Sequence, residues 1–279
     1  MAELPSLDEL DLRDARVLTR CDLNVPLSDG SITDDMRIRA AIPTLEAILE
    51  RGGRLAVCSH LGRPKGTRVE GLSLAPVAQR LAGLLDRQVE FATDAAGEDS
   101  QRLCASDAAV VLLENLRFEP GEASNDPGFA DRLAALGTAY VNDAFGAAHR
   151  AHASIVGVPE RLPGAAGLLL QDEVAKLTRL LDEPESPFVA VLGGAKVSDK
   201  LAVIGNLLDR VDAICVGGAM AFTLLVARGE EVGRSLVERD QVDTVTDVLA
   251  EAKRAGIDIL LPVDVVAATA PEEGAEHAE

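Results

Sequence analysis

The chain has no tryptophan, one tyrosine and six phenylalanines, so aromatics make up only 3% of its 279 residues. A core must therefore be packed from Leu, Val, Ile and Ala, which a hydrophobic content of 47% allows. No apolar run reaches the ~18–20 residues needed for a membrane-crossing helix. The stretch from Met1 to Glu9 has neither a basic n-region nor an apolar h-region, so no secretory leader is expected. The four cysteines, Cys21, Cys58, Cys104 and Cys215, are far apart and form no C-x-x-C pair. Reduced, buried thiols in a cytoplasmic protein are expected. Positive charge is also scarce, with 27 Lys and Arg against 46 Asp and Glu, a formal charge of −19. That excludes the broad basic face required by nucleic acid or an anionic membrane. It also makes clustered cations informative, because an anion site here must override the protein's own field. Neither the Walker loop nor G-x-G-x-x-G occurs.

One stretch, Phe188 to Lys200, combines several signals. Phe188 to Leu192 is an unbroken apolar run of strand length, which predicts a strand buried on both faces. Gly193-Gly194 ends it and allows a tight turn. Helical spacing resumes through Val197, Leu201 and Ile204, predicting that Lys196 and Lys200 share one face of a helix's first turns. Cations oppose the positive end of a helix dipole. An anion in the turn, met also by free N–H groups, would relieve that conflict. Two solvated lysines beside a packing turn is the alternative.

The rest of the chain alternates strand and helix. Strands are predicted from Arg16 to Leu18, Arg54 to Cys58, Val89 to Ala92, Ala108 to Leu113 and Thr138 to Val141. Helices are predicted over about Met36 to Glu50, Leu74 to Leu85 and Phe129 to Leu136. Asp34 and Asp35 suit the positive end of the first helix, and Arg37 sits at the end that cations avoid. Alternation of this kind predicts a parallel sheet with right-handed crossovers. Asp22, Asn24, His60, Arg63, Arg117, Asp143, His149 and Arg150 each follow the last apolar residue of a strand. Ligands of open α/β sheets bind beyond those carboxyl ends. Taken singly, each is most simply a surface charge; repetition over four strands points to an anion site, for which Arg is well suited. His149 and His152 form an isolated H-x-x-H, which fits an anion site or a structural role better than a metal pair.

Gly157 to Gly167 reads as irregular chain and Leu168 to Leu181 as a connecting helix, closed by Pro184 and Pro187. The alternation restarts with the strand before Gly193-Gly194. It continues with a strand from Ala213 to Val216, Gly217-Gly218 and a helix from about Met220 to Ala227. A helix around Val242 to Ala255 and a strand from Asp258 to Leu261 follow. Residues 271–279 are acidic and aperiodic. The expected organisation is a first domain at 1–167, a helix and linker at 168–186, and a second domain at 187–279. With about three clear strands against a usual ~5–6, that second domain reads as incomplete.

Six segments together resemble phosphoglycerate kinase. They are Val17 to Leu27 (VLTRCDLNVPL), Asp35 to Arg39 (DMRIR), Ser59 to Gly66 (SHLGRPKG), Leu113 to Phe118 (LENLRF), Asn142 to His152 (NDAFGAAHRAH) and Leu192 to Lys200 (LGGAKVSDK). They occur in the family's order and the resemblance runs to about Val266. Cys21, Leu23, Met36 and Ala147 depart from the residues common at those positions. The resemblance implies two Rossmann-like, doubly wound α/β domains facing a cleft. It implies phosphoryl transfer between 1,3-bisphosphoglycerate and ADP, giving 3-phosphoglycerate and ATP, in a monomer using Mg²⁺ with its nucleotide. By position, Asp22, Asn24, Arg37, His60, Arg63, Arg117 and Arg150 would hold phosphoglycerate, Arg37 reaching the transferring group. Gly194, Ala195, Lys196 and Lys200 would hold the nucleotide, with Gly217 and Gly218 near the adenine; Arg37, Lys196 and Lys200 would be catalytic. The family continues beyond this chain with its Mg²⁺-binding Asp, so a C-terminally truncated kinase is expected, and Asp264 is no substitute ligand. A non-catalytic remnant that still binds phosphoglycerate is the alternative. An unrelated α/β enzyme, such as a dehydrogenase, is disfavoured by the missing dinucleotide fingerprint.

Overall fold

A computed structural model describes residues 4–268 and 277–278. In chain order the strands of the two main sheets are β1 (Arg16–Cys21), β2 (Arg54–Cys58), β3 (Glu90–Phe91), β4 (Val110–Leu112), β5 (Ala139–Asp143), β6 (Gly164–Ala166), β7 (Val189–Gly193), β8 (Ala213–Gly217) and β9 (Asp258–Leu260). The principal helices are α1 (Met36–Glu50), α2 (Ala75–Leu85), α3 (Glu98–Ala105), α4 (Pro127–Ala134), α5 (Leu168–Asp182), α6 (Leu201–Leu207), α7 (Met220–Ala227) and α8 (Val242–Ala255). Contacts divide the chain into two units, Met1–Leu177 and Thr178–Glu279, with the division inside α5.

The first unit is built on a six-stranded sheet of order β3-β4-β2-β1-β5-β6, and every pairing is parallel. Period-two alternation sends β1 side chains to two cores. Val17 and Cys21 join Leu55, Val57, Leu112 and Val141 on the face covered by α1 and α2. Leu18 joins Ala56, Cys58, Val111 and Tyr140 on the face covered by α3 and α4. Burial on both faces is why these strands read as continuous apolar runs rather than alternating ones. The strand order reverses at β1, between β2 and β5, which places a crevice beyond its carboxyl end.

Two elements of this unit escape sequence periodicity. β6 lies in the Gly157–Gly167 stretch expected to be irregular. Gly and Ala carry no strand signal, and pairing alone makes this a strand, with Tyr140 N–H donating to the Pro163 carbonyl at 2.9 Å and Ala166 N–H to Pro5 at 2.8 Å. α3 is too polar to show an apolar stripe. Asp94 starts it by accepting the amides of Gly97 (2.7 Å), Asp99 (3.0 Å) and Ser100 (3.2 Å).

The second unit holds a parallel three-stranded sheet of order β9-β8-β7. Ile214, Val216 and Ile259 pack with Ile204, Leu224 and Val245 of α6, α7 and α8. The expectation that β7 is buried on both faces fails. Val189 is 44% and Val191 79% exposed, and Leu260 of β9 is 52% exposed. These residues share the face opposite the helices, which carries no covering element among the described residues. An apolar run reports that a strand can be buried; only a second layer buries it.

A short antiparallel pair joins Ala267–Ala268 to His277–Ala278. The rest of the acidic segment expected to be aperiodic, 271–276 and Glu279, lies outside the described residues. No described helix is long and apolar enough to cross a membrane. Cys21, Cys58 and Cys104 are buried and Cys215 half-buried, all four as free thiols. Burial pushes the Cys58 thiol up to about 12 and Cys104 to about 11.

Candidate functional site

Four strand ends and one helix start converge on a single cleft of about 240 Å³ in the first unit. Beyond β1 stand Asp22 and Asn24, and beyond β2 stand His60 and Arg63. Arg117 follows β4, Arg150 follows β5, and Arg37 comes from the first turn of α1. The backbone around Gly146 and Ala147 completes the wall.

The loop after β2 is shaped by buried polar groups. Asn115 Oδ1 accepts the amides of Leu61 (3.2 Å) and Arg117 (3.1 Å), and its Nδ2 donates to the carbonyls of Leu61 (2.7 Å) and Leu72 (2.9 Å). A fully satisfied, buried amide rigidifies the loops it joins. Gly62 has φ +61°, and a Cβ there would lie 2.8 Å from a methyl of Leu72, so any other residue would have to hold a strained backbone and displace that side chain. Its amide donates to Asn24 Oδ1 at 2.9 Å, and its carbonyl accepts from Arg117 at 2.6 Å. Two sequence-predicted site residues are thus anchored to one glycine. Arg37, at the helix end that cations avoid, is instead held by the carboxylate of Asp22. Met36 N–H donates to Asp34 Oδ1 at 2.8 Å, while Asp35 pairs with Arg39 and Arg80, which hold its carboxyl below the usual range.

The cleft is strongly positive. Burial pulls the Arg117 guanidinium below its ordinary pKa, and Arg150 and Arg20 reinforce the effect. His60 is pulled down to about 2, first by burial and then by Arg20, Arg117, His152 and Arg150. A neutral histidine ringed by guanidinium groups marks a potential that favours anions. This local sign is opposite to that of the chain as a whole. Arg20, Glu122 and Ser154 lie directly behind the cleft, and no sequence pattern places Glu122 and Ser154 there. The available signal was Arg20 itself, a charge near the end of a short strand, Arg16–Cys21, whose six residues are all buried. His152 is buried, with Nδ1 3.5 Å from Glu122 Oε1, whereas His149 is exposed.

In the second unit the paired glycines of β7 and β8 lie side by side, with Gly193 opposite Gly217 in register. Gly218 has φ +68°, and Met220 N–H donates to the Gly194 carbonyl at 2.9 Å. Gly194, Gly217 and Gly218 are therefore brought together, with Ala195 and Lys196 following on exposed chain. The expectation for the lysines needs correction. α6 begins at Leu201, with Lys200 at its N-cap and Lys196 in the preceding loop, so the two do not share a helical face. Two of the amides between the glycine turn and the helix, those of Val197 and Ser198, are engaged. Glu238 accepts from Val197 N–H at 2.5 Å, Ser198 N–H at 3.1 Å and Ser198 Oγ at 2.6 Å. A carboxylate from a distant loop holds these residues in a turn and delays the helix. Among the described residues, no group of three or more His, Cys, Asp or Glu side chains is placed to hold a metal ion.

A family model described as phosphoglycerate kinase matches residues 7–279. The phosphoglycerate kinase of Moorella thermoacetica is 52% identical over 279 residues, covering 99% of this chain and 71% of the relative. That of Salinispora arenicola is 54% identical, covering 98% of this chain and 70% of the relative. The solved phosphoglycerate kinase of Coxiella burnetii superposes with a TM-score of 0.82 at 40% identity, over 99% of this chain and 70% of that one. Fold, cleft and sequence identity agree: the chain belongs to the phosphoglycerate kinase family, as a two-unit α/β transferase of glycolysis.

Proposed function

We propose that the cleft at the edge of the first sheet holds 3-phosphoglycerate or 1,3-bisphosphoglycerate. Asp22, Asn24, Arg37, His60, Arg63, Arg117 and Arg150 are the binding residues. ATP or ADP is held in the second unit by Gly194, Ala195, Lys196, Lys200, Gly217 and Gly218, with Lys200 on the phosphates. The reaction moves the acyl-phosphate phosphoryl group of 1,3-bisphosphoglycerate to ADP, and runs in reverse. One observation carries the substrate assignment: all seven predicted residues line one cleft, and its cations dominate in a chain of charge −19.

Phosphoryl transfer asks the protein for alignment and charge neutralisation rather than covalent help. Asp22 and Asn24 offer acceptors for the substrate hydroxyl, while the guanidinium groups neutralise carboxylate and phosphate. Arg37 enters from a helix rather than a strand end, its side chain 53% exposed and paired with Asp22. It is the group suited to following charge on the transferring phosphoryl. Donor and acceptor must meet with water kept out, since water would hydrolyse the acyl phosphate. Mg²⁺ enters with the nucleotide as part of the substrate. The described residues offer it no ligand cluster, and no step is assigned to it. The chain acts in the cytoplasm as a monomer. The relatives are kinases and do not specifically favour the non-catalytic alternative.

Calorimetric titration of the full chain with 3-phosphoglycerate and with ATP separately tests this. Lys200→Ala should weaken ATP binding and leave 3-phosphoglycerate unchanged, and Arg63→Ala should do the opposite. A Lys200→Ala protein with unaltered nucleotide affinity would overturn the nucleotide assignment.

A further inference from the structure

A fully buried guanidinium stands directly behind His60. Arg20 lies on the β1 face shared with Leu18 and is 0% exposed. Its Nε donates to Ser154 Oγ at 3.0 Å, one terminal nitrogen to the Cys21 carbonyl, and the other to His60 Nδ1 at 3.0 Å. The Ser154 hydroxyl donates to Glu122 Oε1 at 2.6 Å, and its amide to Glu122 Oε2 at 3.0 Å. Tyr140 secures the same segment by donating its hydroxyl to the Ser154 carbonyl at 2.6 Å. Arg20, Ser154, Glu122 and Tyr140 are all buried.

The proton positions follow from the donor inventory. A guanidinium has no acceptor, so the His60 Nδ1 facing it must present its lone pair. The ring proton is then on Nε2. Ser154 accepts from Arg20, which can only donate, and gives its single proton to Glu122, so the chain from Glu122 through Ser154 to Arg20 has one direction. Glu122 supplies, one hydroxyl away, the countercharge that a buried guanidinium requires. The other charged and titratable groups around His60 are Arg117, His152 and Arg150, with Cys58 on its own strand. Asp22, in the same cleft, is engaged by Arg37.

We infer that Arg20, held by Ser154 and Glu122, is a positioning residue that locks His60 as the Nε2–H tautomer, so that the histidine meets the anionic substrate as a neutral, directional donor rather than as a cation. The inference rests on reading the cleft as the phosphoglycerate site. An imidazolium would attract the substrate more strongly at long range, but its charge would vary across physiological pH. A locked neutral ring makes its contribution to affinity independent of pH there.

Long-range ¹H–¹⁵N correlation spectra of the full chain, with His60 assigned through His60→Gln, read the tautomer directly. The expected result is a bare Nδ1 and a protonated Nε2 that do not titrate between about pH 5.5 and 8, since the ordinary value near 6.5 has been moved out of that window. In Arg20→Met, His60 should titrate within the window and populate both tautomers. The dissociation constant for 3-phosphoglycerate should rise about tenfold at pH 8 and become pH-dependent, as expected when a charged hydrogen-bonding partner is lost. Arg20→Lys, whose ammonium can still donate to Nδ1, should restore the tautomer. Ser154→Ala, which buries no new charge, should loosen it even if Arg20→Met fails to fold. A wild-type His60 with Nδ1–H, or with both nitrogens protonated at pH 7, overturns the inference; so does a folded Arg20→Met with an unchanged tautomer. If the tautomer is as inferred but His60→Gln leaves 3-phosphoglycerate affinity intact, the reading of the cleft falls while the role of Arg20 toward the ring stands.

Discussion

Gly218 lies against the backbone of Gly194, so closely that a Cβ at position 218 would sit 2.8 Å from the Gly194 carbonyl oxygen and 2.9 Å from its nitrogen. Two parallel strands thus end in turns that touch without side chains between them. Neither atom of the obstruction is a flexible side chain, so the contact cannot relax cheaply. Gly218→Ala meets the clash and also the left-handed backbone, which alone costs about 1–2 kcal/mol. The second unit should lose at least about 2 kcal/mol of stability, seen as a lower urea midpoint, with ATP affinity falling and 3-phosphoglycerate affinity unchanged.

Arg16 does structural work of a different kind from Arg20. Its guanidinium is buried and donates to four carbonyls, those of Cys104 (3.1 Å), Leu55 (3.2 Å), Ala108 (2.7 Å) and Ser106 (2.9 Å). It ties β1 to the carboxyl end of α3, where a cation also meets the helix dipole favourably. Arg16→Leu leaves buried carbonyls unpaired and should cost about 3 kcal/mol. A lower denaturation midpoint with unchanged 3-phosphoglycerate affinity in the remaining folded protein is the expected outcome.

Asp143 ends β5 and caps the start of α5, its Oδ1 accepting the amides of Leu169 (3.0 Å) and Leu170 (3.4 Å). Burial pushes this carboxyl from 3.8 up to about 6, against the opposing effect of its hydrogen bonds. A raised folded value means that the protonated form is favoured by folding. The stabilisation is fully present below the ordinary value and is lost as pH rises through about 6. A shift of this size corresponds to about 3 kcal/mol. Asp143→Asn keeps an acceptor for α5 and removes the titration. Wild-type stability, measured by urea denaturation, should therefore fall relative to the variant between about pH 4 and 6.

Arg37 touches the cleft but is held only by Asp22. If it follows the transferring phosphoryl group, Arg37→Ala should lower kcat about a hundredfold or more, while the calorimetric dissociation constant for 3-phosphoglycerate changes little. Equal losses in both would place Arg37 among the ground-state contacts instead.

Much of this molecule is legible in local chemistry. α1, β2 and α7 match the boundaries expected from apolar spacing. The polar residues at strand ends point to one edge before any coordinates, because a parallel sheet must deliver them there, and a cleft lined by six of them forms at that edge. Where the reading failed, the deciding partner was remote in sequence. Glu238 takes the amides of Val197 and Ser198 and pushes the start of α6 to Leu201. Pairing to β5 makes a strand of Gly164–Ala166, which has no side-chain pattern of its own.

The order of residues by itself determined the alternating α/β architecture and the acidic balance, which follow from periodicity and composition, while the full set of seven cleft residues, Arg37 included, came from the resemblance of its motifs to a known family. Only the tertiary structure decided that Arg20 faces Ser154 and His60, and that one face of the second sheet carries exposed valines. Burial and hydrogen-bond pairing across more than a hundred positions depend on which elements come to lie against each other, and no local pattern encodes that.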